Sequence, residues 1–99
     1  MFYFKGNNLT TVATSPMFNT PMVIKNFLLT NKSGGNITIN IELIGEGNIN
    51  IVPYNLLLND GDMVDSDHDI VMPANQQIRV TTTGSLDFYF TLANMQPDD

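Results

Sequence analysis

The chain has 99 residues, is 42% hydrophobic, contains no cysteine and carries ten acids against four bases, a formal charge of −6. That length closes one hydrophobic core, the lack of cysteine excludes disulfides and thiolate metal sites, and so few bases leave no positive footprint for phosphate, so neither direct nucleic-acid binding nor attachment to an anionic membrane is expected. The charge is also local: setting aside the five Asp between 60 and 69 and the terminal Asp98 and Asp99 leaves Glu42, Glu46 and Asp87 against Lys5, Lys25, Lys32 and Arg79, a nearly neutral domain.

The opening MFYFKGNN is apolar for only four residues, too short for the core of a signal peptide. No run approaches the ~20 apolar residues that cross a bilayer, so a soluble chain made in the cytoplasm is expected. FYF and LTTVAT have strand character, whereas SPMFNTP holds two prolines, and residues 1–21 are read as an N-terminal arm with the first strand or strands. MVIKNFLLTN (22–31) is β-branched and aromatic. In NITINIELI (36–44) the positions Ile37, Ile39, Ile41 and Leu43 alternate with mostly polar residues, the period of a half-buried strand. The linking NKSGGN offers the Gly-Gly of a tight reversal, which predicts a β-hairpin over 22–44.

GEGN punctuates, NINIV (48–52) resumes, and Pro53 closes that strand because it cannot donate to a ladder. YNLLL (54–58) is a short apolar strand stopped by the turn sequence NDGD. DIVM (69–72) precedes the turn PANQ. IRVTTT (78–83) and LDFYFTL (86–92) flank Gly-Ser as a second predicted hairpin, with Leu86, Phe88, Phe90 and Leu92 on one face and Asp87, Tyr89 and Thr91 on the other. Residues 93–99 form a polar tail. Seven or eight short strands with turns at frequent intervals and no helical period indicate an all-β fold, an antiparallel β-sandwich of jelly-roll or immunoglobulin-like type with its core over 22–92. Asparagine is spread throughout, giving a hydrogen-bonding surface without strong fields that suits packing beside identical copies.

The run DGDMVDSDHD (60–69) holds half the acids and the single histidine. Asp60, Asp62, Asp65, Asp67 and Asp69 are the calcium candidates, since that ion takes six to eight oxygens. The spacing departs from an EF-hand loop: Gly61 falls between the first two Asp and no distal Glu follows. In an extended segment Asp65, Asp67 and Asp69 share one face at intervals of about 6.6 Å, too spread for a cage. A solvated turn and a charged strand edge is the reading preferred, with no metal and no cofactor. His68 alone cannot make a zinc site, which needs three or four ligands. With one His, no Cys and no G-x-S-x-G elbow, no catalytic residues are assigned and no enzyme is expected. GEGN and NKSGGN lack the Lys-Ser/Thr of a phosphate loop and are turns. Phe2, Tyr3 and Phe4 alternate across a strand, so at most two of them act together, as a sugar-stacking platform or as an anchor in their own or a neighbour's sandwich.

The stretches IKNFLLTNKSGGNITINIELI, INIVPYNLLLNDGDMV and DIVMPANQQIRVTTTGSLDFYFTL together resemble small virion structural proteins of tailed bacteriophages, over about residues 22–92. In that group a hairpin with a polar Gly or Ser turn precedes a "P-x-N-L-x-L" strand, and a "D-x-I-V-L-P-A-G-x-x-I-x-V" segment leads to a last strand after "T-x-G-S-V-D". This chain departs at Asn75, where Gly is usual; Asn tolerates the left-handed conformation best after Gly. The resemblance implies a non-enzymatic β-sandwich subunit of the virion, a capsid decoration, head-tail or tail component whose partners are other copies of itself and capsid, portal or tail proteins. Phe2, Tyr3, Phe4, Met17, Phe18 and Met22 are the candidate interface residues, as apolar groups of a docking arm or edge. The alternative is a carbohydrate-binding or adhesin-like module for a host-surface glycan, calcium-assisted through 60–69, since sandwiches host both functions.

Overall fold

A computed structural model describes residues 1–95. Ten strands follow one another: β1 (Phe2–Leu9), β2 (Val12–Thr14), β3 (Met22–Asn31), β4 (Ile37–Ile44), β5 (Asn48–Asn50), β6 (Leu56–Leu58), β7 (Met63–Ser66), β8 (Ile70–Met72), β9 (Gln77–Thr82) and β10 (Leu86–Asn94). They build two antiparallel sheets. The first runs β1-β10-β3-β7 with β8 also on β3, and the second runs β2-β9-β4-β5 with β6 also on β4. If the pairs β5/β6 and β7/β8 are each taken as one interrupted strand, the chain crosses from sheet to sheet at nearly every step, which is the winding of a jelly roll. An immunoglobulin-like sandwich instead keeps several consecutive strands as hairpins within one sheet.

Both predicted hairpins are therefore corrected. The strands over 22–31 and 37–44 exist, but β3 pairs with β10, β7 and β8 whereas β4 pairs with β9, β5 and β6. Likewise β9 belongs to the second sheet and β10 to the first. Each strand has one strongly apolar face, and stacking two such faces across a core about 10 Å thick buries both, whereas a hairpin would leave them side by side. Residues 32–36 and 83–85 are thus arches between sheets. Residues 1–21 supply an edge strand to each sheet, with β1 registered on β10 and β2 on β9. Of the polar tail, Ala93 and Asn94 extend β10 opposite Val23 and Met22, while 96–99 lie outside the described residues.

The core is the set of inward positions that alternation selects: Ile37, Ile39, Ile41 and Leu43 from β4, Ile78 and Val80 from β9, and Leu86, Phe88, Phe90 and Leu92 from β10. In β3 the inward residues Ile24 and Phe27 are three apart rather than two. The register shift against Thr91 and Leu92 explains the spacing: a bulge at Lys25–Asn26 turns both side chains out and keeps both flanking apolar residues in. The expected strand over 48–52 stops at Asn50, with Ile51 rejoining β4 by donating its N–H to the Ile41 carbonyl at 2.9 Å. Asn75 has φ of 66°, the left-handed conformation expected for a position where glycine would be usual.

The two arches meet at one end of the sandwich. A Cβ placed on Gly84 would lie 2.6 Å from Ile37 Cγ2 and 3.1 Å from Ser33 Cβ, so the bare glycine lets the 83–85 arch press against the 32–36 arch. Gly84→Ala is expected to cost about 1–3 kcal/mol by overpacking, read as a lower urea midpoint with unchanged slope. Asn31, 1% exposed, ties the same end together: its Nδ2 donates to the carbonyls of Gly35 (2.8 Å), Leu58 (3.0 Å) and Asn59 (2.9 Å), and its Oδ1 accepts from Ser33 N at 2.9 Å.

Candidate functional site

The two outer faces differ. That of the β2-β9-β4 sheet is a polar ladder of Thr14, Thr81, Asn40, Gln77, Arg79 and Glu42, brought into rows by the β9–β4 and β2–β9 registers. Some of its polar groups are paired, and Val12 and Leu57, both exposed, stand on the same face. Arg79 Nη2 and Nε donate to Glu42 Oε1 at 2.8 and 3.0 Å, and Asn40 Nδ2 donates to Asn55 Oδ1 at 2.8 Å while Asn40 Oδ1 accepts from Asn55 N.

The outer face of the β1-β10-β3-β7 sheet carries apolar and aromatic side chains in the corresponding positions. Register places Lys5, Tyr89, Leu28 and Asp65 in one row and Asp87, Thr30 and Met63 in the next. Tyr3 joins the patch from β1, its ring centroid 5.7 Å from that of Tyr89. Tyr3 is 50% exposed, Met63 57%, Leu28 39% and Tyr89 38%, so large apolar groups face solvent across all four strands. A hollow of about 600 Å³ lies among Lys5, Asn7, Leu28, Thr30, Asp87 and Tyr89. A second of about 470 Å³ lies on the far side of Leu28, among Asn26, Asp65, Ser66, Asp67 and His68, which makes Leu28 a ridge between them. Asp87 is held by Lys32 Nζ at 3.2 Å and accepts from Asn8 N at 3.0 Å, fixing one wall of the first hollow. At this exposure the ion pair orients more than it stabilises.

The acidic run is distributed over three environments. Asp60 and Gly61 form the tip of a turn closed by Asp62 N donating to Asn59 O at 2.9 Å, with Gly61 at φ of 80°. Asp62 Oδ2 accepts from Asn59 N at 3.2 Å. Asp65 sits on β7 opposite Leu28, and Asp69 accepts from Lys25 Nζ at 2.9 Å beside the β3 bulge. His68 N donates to Ser66 Oγ at 3.4 Å in the link between β7 and β8. Among the described residues no three His, Asp or Glu side chains converge as a metal-holding group.

The six residues chosen from sequence as an interface separate. Phe4 packs its ring on Phe88 and Phe90 at 4.9 and 5.7 Å, and Phe2 meets Phe18 edge-on at 4.9 Å, all three against the core. Met22 is inside the core. Tyr3 and Met17, the latter 57% exposed, reach solvent. Alternation along β1 imposes this sorting, because an edge strand still sends every second side chain inward. Sequence reading missed Leu28, Met63 and Tyr89. Two signals existed for them: the apolar triplet Phe27-Leu28-Leu29 cannot bury all three on one strand, and Tyr89 falls on the face shared with Asp87 and Thr91.

No family model matches the chain. No curated protein matches it either. Among solved structures, it is similar to a chain in the structure of the Gx strain of infectious bursal disease virus, at 12% identity and a TM-score of 0.46. The alignment covers 92% of this chain and 30% of that one, so this chain spans less than a third of its neighbour's length.

Proposed function

We propose that the chain is a non-enzymatic structural subunit of a tailed-phage virion, a capsid decoration or auxiliary protein or a head-tail or tail component, that works by self-association and by docking on capsid, portal or tail proteins. The observation that carries the reading is the set of large side chains exposed on the outer face of the β1-β10-β3-β7 sheet. That face presents Tyr3, Tyr89, Leu28 and Met63 around two hollows, while the opposite face holds an Arg79–Glu42 ion pair and an Asn40–Asn55 pair. A contiguous exposed apolar patch with polar surroundings is what protein interfaces use, with aromatic residues and Met enriched at their centres. The pattern of strands and turns shared with small virion proteins supplies the class of partner.

Leu28→Lys tests the site. Leu28 stands on an outward position, so the substitution should change stability by no more than about 0.5 kcal/mol. When wild type and variant are supplied in trans during infection by a virus lacking the gene, wild type is expected to enter the particles and Leu28→Lys to be depleted several-fold. Equal incorporation would move the interface elsewhere. A second reading, recognition of a carbohydrate, is favoured by one feature, the exposed Tyr3–Tyr89 pair beside Lys5, Asn7 and Asp87. Binding to a glycan array that is lost in Tyr89→Ala would bring that reading forward.

A further inference from the structure

The sandwich has four sheet edges, and three are blocked in ways the residues make plain. A bare edge is a template for another strand, and proteins close such edges with short strands, prolines, bulges and charge. β2 is three residues long and runs into Ser15-Pro16. The β5/β6 edge is interrupted by residues 51–55, which include Pro53. The β7/β8 edge is broken at residues 67–69 and carries Asp65, Asp67 and Asp69. β1 is different. Phe2 to Gly6 pair with β10 in unbroken register, with no proline and one charge, Lys5, and the bulge that ends this run comes only at Asn7–Asn8, where Asn8 has φ of 56°.

We infer that the outer edge of β1 pairs antiparallel with β1 of a second copy, about a two-fold axis through Phe4, joining the two β1-β10-β3-β7 sheets into one. This rests on the reading of the chain as an assembling subunit and names its first partner. The side chains select the register. Outward-facing residues must stay opposite outward-facing ones, which leaves registers that differ by two residues. Centring on Phe4 sets Tyr3 opposite the partner's Lys5 and uses all of Phe2–Gly6, whereas moving the axis to Lys5 would oppose two like charges. An isologous contact of this kind closes as a dimer. It also makes the Tyr3 and Tyr89 patches of the two copies continuous on one face.

Charge decides which edge of the sheet a second copy can use. Each chain carries −6, a penalty for any self-contact that brings the acidic runs together. β1 and β7 are opposite edges of the same sheet. Pairing through β1 therefore puts the two copies of Asp65 seven strand spacings apart, about 34 Å, well beyond a screening length of about 8 Å. Pairing through β7 would set the same residues against each other. On this view DGDMVDSDHD directs association: it closes one edge of the sheet and leaves the other to the partner.

The chain has no native cysteine, which makes disulfide trapping unambiguous. Both Tyr3 and Lys5 are exposed, so Tyr3→Cys and Lys5→Cys should melt within a few degrees of wild type. In the stated register these positions face each other at a Cα separation of about 4.5–5.5 Å, inside disulfide range. Each position lies about 8 Å from its own copy, beyond the ~7 Å limit. Oxidation of the two mixed variants, distinguished by mass, is expected to give the covalent heterodimer in large excess over either homodimer, and light scattering of wild type is expected to give a dimer mass. A monomer, no cross-link, or homodimers as abundant as the heterodimer would each overturn the inference. An assembled protein that forms no cross-link would overturn the β1 edge while leaving the subunit reading intact, and that reading fails separately if the protein is missing from particles.

Discussion

Asn31→Asp is expected to be among the most damaging single substitutions in the chain and worse than Asn31→Ala, although it preserves shape. The two Nδ2 hydrogens are shared among three carbonyls, those of Gly35, Leu58 and Asn59, and the side chain is 1% exposed. Truncation to Ala leaves buried carbonyls and Ser33 N without their partner and should cost about 3 kcal/mol. A carboxylate at the same position would keep the acceptor for Ser33 N but set a charge against carbonyl oxygens, with a cost of about 4 kcal/mol or more. The sign with pH follows. Burial and the facing carbonyls raise the pKa of the introduced acid above its unfolded value, so the penalty is full at neutral pH and shrinks as pH falls through the raised value, where the protonated group can again donate. Urea unfolding of wild type and both variants at pH 7 and pH 5 checks this; an Asp variant as stable as wild type at pH 7 would show that the arches are held by something else.

Phe90→Ala is the second large effect. Its ring is fully buried, and its centroid lies 5.3 Å from that of Phe27, 5.7 Å from Phe4 and 6.3 Å from Phe88, so it joins β10 to both neighbouring strands. Removing it takes away the transfer free energy of the ring, leaves a cavity and deletes the aromatic contacts, about 4 kcal/mol in all. The adjacent Tyr89→Ala, on the outward face, should cost about 1 kcal/mol or less. Chemical denaturation of the two variants side by side gives the contrast. Near-equal losses would mean that the inward and outward faces of β10 have been assigned wrongly.

That assignment was legible in the sequence, because alternation is a local property. The faces of β4, β9 and β10 follow from it directly, the left-handed conformation of Gly61 follows from turn chemistry, and that of Asn75 from the glycine usual there in the proteins the chain resembles. Which sheet each strand joins was not legible. NKSGGN and TGS look the same whether the chain turns back beside itself or crosses to the opposite sheet. What decides is that four strands with strongly apolar faces bury more surface stacked than adjacent, a global comparison. Asn31 carried a hint, since a polar residue at an inward position of an apolar strand needs partners from a distant loop, here residues 58 and 59.

The candidate site was legible in part for the same reason. Composition groups Phe2, Tyr3, Phe4 and Met22 together, and the fold then sends Phe2, Phe4 and Met22 toward the core and leaves Tyr3 exposed. Leu28 and Met63 became visible as one patch only once β10, β3 and β7 were placed side by side. The acidic run reads from sequence as a solvated turn and a charged strand edge, with calcium as the alternative. In the fold it supplies a turn, an ion pair with Lys25 and a charged sheet edge.

The proposal that the chain is a structural part of a virion is decided by quantitative mass spectrometry of virus particles gradient-purified from a lysate that contains the chain. Peptides of this chain are expected to co-purify with the major capsid protein at a fixed ratio of many copies per particle through repeated gradients. A chain abundant in the infected-cell lysate but lost from the particles would contradict it.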